Sequence, residues 1–169
     1  AEIPGDFIIR FMTSHPKDAT DKLIDVMAEY TPKIAPYFHL PLQSGSDTIL
    51  KAMNRRYTRE KYLSIIEYAK NRIPDVSLTS DIIVGFPGET DEDFEMTRKI
   101  MEEVEYDLAY IFEYSPRKGT KASLMTDDVP KEVKEERNQI LLKELEKSSQ
   151  KENLRAVGKT LELLAEGPS

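Results

Sequence analysis

The chain has 169 residues, 39% hydrophobic and 33% charged, with a formal net charge of −7 at pH 7. That length and balance fit one folded domain with its own core and exclude a disordered segment or a generic nucleic-acid coat. With no cysteine and two histidines, disulfides and thiolate metal sites are excluded and a self-contained zinc site is disfavoured; no apolar run reaches the length of a membrane span and no signal peptide is recognisable, so a cytoplasmic setting is expected.

Residues 8–13 (IIRFMT) are rich in β-formers and predict a first strand, ended by Ser14-His15-Pro16. Residues 20–29 predict a helix with Leu23, Ile24, Met27 and Ala28 on one face behind Thr20 as N-cap. Residues 37–42 predict a second strand, closed by QSGS at 43–46. A short helix over 47–53 turns Ile49, Leu50 and Met53 inward, and Thr58 caps a longer one over 59–71 that buries Tyr62, Leu63, Ile66 and Ala69 before Ile73-Pro74-Asp75 stops it. Residues 76–84 predict a third strand. Thr90 then caps a helix with Phe94, Met101 and Val104 inward, and residues 107–114 predict a fourth strand. The loop YSPRKGT and an irregular segment to Asp128 follow, and Pro130 opens a charged helix to about residue 156 striped by Val133, Ile140, Leu141 and Leu145. Residues 160–165 (TLELLA) alternate like a strand that begins another unit.

Strands that alternate with helices at about thirty residues per unit require parallel pairing and crossover helices. A doubly wound sheet and a barrel both satisfy that pattern. Leu78, Ser80, Ile82 and Val84 share one strand face, against Thr79, Asp81, Ile83 and Gly85; Phe38, Leu40 and Leu42 likewise oppose His39, Pro41 and Gln43. One apolar face and one mixed-polar face fit a barrel wall with a ligand-bearing lumen better than a sheet covered on both sides. The expected fold is α/β, a partial TIM-like barrel.

In such folds ligands sit at the carboxyl ends of the strands. Those ends read TSHP, QSGS, GFPGE and YSPRKGT, four polar turns on one rim. The turn GFPGE resembles a phosphate loop, but Glu89, Asp91, Glu92 and Asp93 crowd the start of the next helix and occupy its positive end themselves. Gly85 leaves room for a flat group near the backbone, and Pro87-Gly88 suits the middle of a type II turn. Ile83, Val84, Gly85 and Phe86 are therefore expected to flank a flat, mostly neutral ligand such as an adenine ring.

Asp81, if it faces a lumen, needs Arg10, His39 or a polar ligand as partner, because an unpaired buried charge is costly. His39 reads as a hydrogen-bonded structural residue and His15 as a turn residue. Arg55, just past QSGS in MNRRYT, is either a bidentate carboxylate clamp or a surface arginine. Charge is uneven: between Pro87 and Asp107 nine acids stand against Arg98 and Lys99, a net of −7, read as a solvated helix face. Residues 47–62 carry a net of +3 and are either plain helix surface or a face toward an anionic partner, with Tyr57 and Tyr62 beside it.

The blocks TSHPKD, HLPLQSGSD, KAMNRRYT, DIIVGFPGETDEDF and YSPRKGT, in this order and spacing, resemble the radical S-adenosylmethionine (SAM) methylthiotransferases over nearly the whole chain. TSHPKD with HLPLQSGS is most similar to the branch that acts on N6-dimethylallyladenosine next to the anticodon of tRNA. The branches acting on threonylcarbamoyl-adenosine in tRNA or on a ribosomal-protein aspartate are the alternatives. The resemblance implies that residues 1–156 are the last four βα units of a six-unit barrel, and residues 157–169 a linker and the first strand of an RNA-binding TRAM β-barrel.

It implies SAM as cofactor, with Gln43 and Ser44 toward its ribose and methionine and Arg55 near its carboxylate. Asp81, Ile83, Gly85 and Phe86 would lie along the adenine side, and Tyr114 and Ser115 would cover adenine and substrate. The family's CxxxCxxC motif, which holds a 4Fe–4S cluster, is absent, so the clusters are expected in the intact parent and the chain alone is expected to be inert. No residue here is expected to act as acid, base or metal ligand. The implied partners are the tRNA anticodon stem-loop, the N-terminal half of the same enzyme, and another copy of the chain through an exposed edge at residues 8–13. A non-radical barrel lyase or aldolase would want a lysine or metal-binding carboxylates in the lumen, and the four strands hold no lysine. A non-catalytic nucleotide- or RNA-binding module is the alternative of another class.

Overall fold

The computed structural model describes residues 3–160 and 167. Among the described residues, five helices and three strands follow in the order α1 (Asp21–Glu29), β1 (Tyr37–His39), α2 (Asp47–Ala52), α3 (Arg59–Arg72), β2 (Ser77–Val84), α4 (Asp91–Val104), β3 (Leu108–Glu113) and α5 (Lys131–Ala156), with a 3₁₀ turn at Ala122–Leu124. The strands form one parallel sheet in the order β1-β2-β3. Among the described residues no helix is long and apolar enough to cross a membrane.

Hydroxyl side chains start the helices as their spacing predicts. Thr20, Thr58 and Thr90 each accept a hydrogen bond from the backbone of the first turn, and Ser46 does the same for α2. At α4 the arrangement is a full capping box, with Asp93 returning a bond to the Thr90 N–H. The helix-facing side of the sheet is the apolar one: Phe38, Leu40, Leu42, Leu78, Ile82 and Val84 are buried against Tyr62, Ile65 and Ile66 of α3 and Phe94, Ile100 and Met101 of α4. The opposite face keeps Tyr110 and Phe112 exposed, their rings stacked at 6.4 Å. One covered face and one open face match the expected barrel wall.

The predicted strand at residues 8–13 is reduced to a single parallel bridge, Ile9 to Ile34. Ile9 N–H donates to the Lys33 carbonyl at 2.8 Å and Ala35 N–H to the Ile9 carbonyl at 2.9 Å, and the ladder stops there. Strand propensity expresses fit to a half-buried pleated surface; here no second layer covers the segment, and Met12 remains 83% exposed.

The second strand is also shorter than expected, for a different reason. β1 pairs His39 with Thr79, whereas the next bridge pairs Gln43 with Ile82. Residues 40–43 thus span the length of only 80–82, which makes a bulge and puts Gln43 at φ 68°. Ser80 mends the gap: its hydroxyl donates to the Leu40 carbonyl at 3.0 Å and accepts from Leu42 N–H at 2.9 Å. Tyr57 O–H bonds to the Leu42 carbonyl at 3.0 Å. The bulge is thus the reason Ser80 and the Tyr57 hydroxyl lie in the core.

The long helix α5 lies on β3 and α4, and its buried stripe differs from the expected one. Lys134, Arg137, Leu141 and Ser148 are its buried residues, while Ile140 and Leu145 pack partly buried against the core. Ser148 O–H donates to the Tyr106 carbonyl at 2.8 Å, and Asn138 donates to the Ile111 carbonyl at 3.0 Å. The expected strand at 160–165 (TLELLA) lies, but for Thr160, outside the described residues.

Candidate functional site

The strand-end turns are built as much by the helices behind them as by the strands. QSGS is sewn to α4. Gly45 N–H donates to the Thr97 hydroxyl at 2.8 Å, and a Cβ on Gly45 would stand 2.5 Å from the Met96 carbonyl oxygen. Ser46 O–H donates to the Asp93 carboxylate, so the cap of α2 and the capping box of α4 share one side chain. Ser44 is fully buried, and its hydroxyl accepts from Ser46 N–H at 3.2 Å. Ser44 thus shapes the turn rather than presenting its hydroxyl at the rim.

Gln43, bulged out of the ladder, meets Arg55: Arg55 Nη2 donates to Gln43 Oε1 at 3.1 Å. Arg55 Nε is buried with no protein partner. Gln43 is also locked to β2, its N–H donating to the Asp81 carbonyl at 2.8 Å and its carbonyl accepting from Ile83 N–H at 2.9 Å. Gln43, Arg55, Asp81 and Ile83 therefore form one local group. Asp81 takes His39 as its protein partner, at 3.5 Å from Nε2. His39 Nδ1 bonds the Thr79 hydroxyl at 2.8 Å, and Thr79 bonds Tyr37 O–H at 3.0 Å. Arg10 does not join this line; its guanidinium sits 4.2 Å over the Tyr37 ring.

Of the other expected residues, Phe86 and the Tyr114 hydroxyl turn inward. Phe86 is buried and meets the Tyr114 ring edge-on at 5.0 Å, and the Tyr114 hydroxyl is buried without a protein partner. Ser115 is exposed. Gly85 has φ 70°, and the space where its side chain would be holds the alkyl chain of Lys134, 2.3 Å from the ideal Cβ position to Cγ. The Cβ side of Gly85, one part of the room expected there for a flat ligand, is therefore taken by Lys134.

The acidic cluster is not a solvated face at its start. Glu89 is 5% exposed: Oε2 accepts from Gly85 N–H at 2.7 Å and from Arg137 Nη1 at 2.7 Å. Asp91 accepts from Arg137 Nη2 at 2.7 Å. Burial pushes the Glu89 carboxyl upward in pKa, opposed by the Gly85 N–H and the Arg137 guanidinium. Burial also pulls upward on Asp93, but bonds from Ser46 and Thr90 outweigh it and hold that carboxyl below its ordinary value.

The basic stretch divides as well. Tyr57 and Tyr62 are buried, so neither offers a ring to a partner. Arg59 lies 3.8 Å from Glu103. Arg55 and Arg56 line an open cavity of about 350 Å³ with His15, Lys17, Met53 and Asn54. That cavity does not include Gln43, Asp81 or Phe86.

Lys134, Arg137 and Asp128 are not marked out in the sequence, because lone charges on a charged helix or loop look solvated. The available signal was phase: 134, 137, 141, 145 and 148 share one helical stripe with Leu141 and Leu145.

A family model described as the radical SAM superfamily matches residues 1–101. The chain is 53% identical to the tRNA-2-methylthio-N(6)-dimethylallyladenosine synthase of Alkaliphilus oremlandii over 99% of its own length and 36% of that protein. It is likewise 53% identical to the protein of the same description from Caldicellulosiruptor saccharolyticus, again over 99% of its length and 35% of the relative. The chain thus spans about a third of the length of these curated relatives. Among solved structures, coproporphyrinogen III oxidase from Escherichia coli, a radical SAM enzyme, superposes with a TM-score of 0.68 at 19% identity, over 83% of this chain and 32% of that one, a likeness of fold.

Proposed function

Because the chain belongs to the radical SAM superfamily, we propose that it is the carboxyl-terminal wall of the SAM-binding barrel in an enzyme that adds a methylthio group to N6-dimethylallyladenosine of tRNA. The observation that carries this is the 53% identity, over 99% of the chain, to relatives of that description. Residues 1–156 are then the later part of the barrel, and 157–169 the link toward an RNA-binding module.

The rim fits the cofactor at one point in particular. Arg55 holds a buried, unpartnered Nε beside the Nη2 already aimed by Gln43, a guanidinium edge suited to a carboxylate such as that of the SAM methionine. Bound SAM supplies the hydrogen-abstracting and methyl-donating chemistry. The chain's own residues bind, orient and exclude water: Gln43 sets the Arg55 side chain, Ile83 and the backbone of residues 85–89 line the adenine side, and Tyr114 with Phe86 closes the lower wall. The residues here do not fit an iron–sulfur cluster. There is no cysteine, and among the described residues no group of three acids or histidines converges. Its ligands belong to other residues of the parent.

Nucleoside mass spectrometry tests the proposal. Expression of the parent enzyme in cells lacking this modification should restore 2-methylthio-N6-dimethylallyladenosine in tRNA. A methylthio group found instead on threonylcarbamoyl-adenosine or on a ribosomal protein would overturn the substrate assignment.

A further inference from the structure

We propose that α5 is a latch on the loop over residues 85–91, with Arg137 acting as a positioning residue for the cofactor through Glu89. The proposal rests on the reading of the strand-end rim as a SAM site.

The loop has little frame of its own, its internal backbone bond being Glu89 N–H to the Phe86 carbonyl at 2.9 Å. Beyond the Gly85 N–H bond to the Glu89 carboxylate and the Thr90–Asp93 capping box at its far end, the hydrogen bonds that fix it come from residues 127–137. Arg137 Nη1 donates to Glu89 Oε2 at 2.7 Å and to the Glu89 carbonyl at 3.2 Å, and Nη2 reaches Asp91 at 2.7 Å. The same Glu89 oxygen accepts Gly85 N–H, so one carboxylate joins the first residue of the loop to α5. Asp128 accepts Gly88 N–H at 2.7 Å and ties the middle of the loop. Lys134 lays its alkyl chain into the space left by the missing Gly85 side chain, while its Nζ is held by both Asp127 oxygens at 2.7 Å. Start, middle and end of the loop are thus each gripped from one segment, though none of the gripping residues lies on the sheet.

A buried ion pair is a poor device for stability alone, since desolvation offsets much of the attraction. It is a good device for geometry, because a guanidinium fork satisfies several acceptors only in one arrangement. The loop backbone flanks the cofactor, so a displacement of the loop translates into lost affinity without any residue of α5 touching the ligand. Coupling through a rigid helix to a loop of otherwise weak internal bonding is the physical content of the latch.

The test uses the whole parent enzyme with Arg137→Met, Arg137→Lys and Asp128→Ala. Hydrogen exchange is read by mass spectrometry on peptides covering 85–91 and, separately, β2 and β3. SAM affinity is read by calorimetry, and KM for SAM and kcat by steady-state assay. With Arg137→Met, exchange over 85–91 should rise about ten-fold or more while the strands keep their protection, and SAM should bind about ten-fold more weakly. KM should rise while kcat at saturating SAM stays within about two-fold. Arg137→Lys should recover part of both effects, and Asp128→Ala, an exposed change that leaves the core intact, should loosen the middle of the loop alone.

Unchanged exchange over 85–91, exchange that rises equally across the sheet, or a loosened loop with undiminished SAM affinity would each overturn the latch. A wild-type enzyme that binds no SAM would overturn the site reading instead, with the exchange comparison still judging the contacts. If Arg137→Met does not fold, Asp128→Ala and Arg137→Lys carry the same comparison.

Discussion

Lys134 fills the place where a side chain on Gly85 would stand: an ideal Cβ there lies 2.3 Å from Lys134 Cγ and 2.9 Å from Cδ. Gly85→Ala therefore forces two costs, the left-handed backbone, about 1–2 kcal/mol, and overpacking, about 1–3 kcal/mol. Removing the lysine removes only the second. Urea unfolding of Gly85→Ala, Lys134→Ala and the double variant should show a favourable coupling of about 1–2 kcal/mol. Strict additivity would mean that the lysine does not occupy that space.

Gly45 makes the contrasting case. Its Cβ would meet backbone, 2.5 Å from the Met96 carbonyl oxygen and 2.6 Å from Thr97 Cα, which no rotamer change relieves. Gly45→Ala should separate the QSGS turn from α4 and destabilise by about 3 kcal/mol or more, at the upper end of overpacking. Gly88, with open space around its Cβ position but φ 81°, should lose only the backbone term, about 1–2 kcal/mol. Denaturation midpoints of the two variants give the ranking, and a smaller loss at Gly45 would contradict the packing.

Asp93 links two turns, accepting from Ser46 O–H and from Thr90 N–H at 3.1 Å. Asp93→Asn should cost about 1–2 kcal/mol at neutral pH, the scale of a lost cap and a charged hydrogen bond. Its folded pKa is lowered, so the stability it adds is complete above the unfolded value of about 3.9 and disappears as pH falls through the folded value. Unfolding measured at pH 7, 5 and 3 should show the wild-type advantage over Asp93→Asn shrinking only at the lowest pH.

Tyr62 and Tyr106 share a buried hydroxyl pair at 2.8 Å, and Tyr62 also donates to the Leu40 carbonyl at 2.9 Å. Burial raises both phenols well above their ordinary range and pushes Tyr57 up to about 12. Stability from these neutral phenols is full below the unfolded value of about 10 and is lost as pH rises through the folded values. Phenolate absorbance should therefore lag for three tyrosines until the alkaline unfolding transition. Tyr62→Phe should cost more than Tyr106→Phe, about 2 against about 1 kcal/mol, because it breaks two hydrogen bonds and strands the Tyr106 hydroxyl.

Arg55 separates positioning from charge. Arg55→Lys keeps the charge but loses the planar fork and the bond to Gln43. In the parent enzyme, Arg55→Lys should weaken SAM binding about ten-fold and Arg55→Met further, as titration calorimetry will show. Equal affinity in all three proteins would move the carboxylate contact elsewhere.

Much of this molecule follows from local rules. Thr20, Thr58 and Thr90 are caps because a hydroxyl before an amphipathic run satisfies free N–H groups wherever it occurs. The division of β2 into a buried and an open face follows from alternation, and the family blocks carried Gln43 and Arg55 into one neighbourhood. The strand predicted at 8–13 forms only one bridge because its β-formers find no covering layer. The bulge at 40–43 was invisible because it depends on Ser80 and Tyr57, forty and fifteen residues away from the atoms they satisfy.

Sequence alone therefore determined the parallel α/β plan, the helix starts and the rim on which the family's residues gather, since each depends on periodicity or on neighbours within one turn. Tertiary structure alone decided what lies behind that rim. Lys134 fills the space at Gly85 and Arg137 takes Glu89 and Asp91 because α5 docks there, and a charged side chain becomes a buried partner only when a distant segment removes its water and supplies the opposite charge.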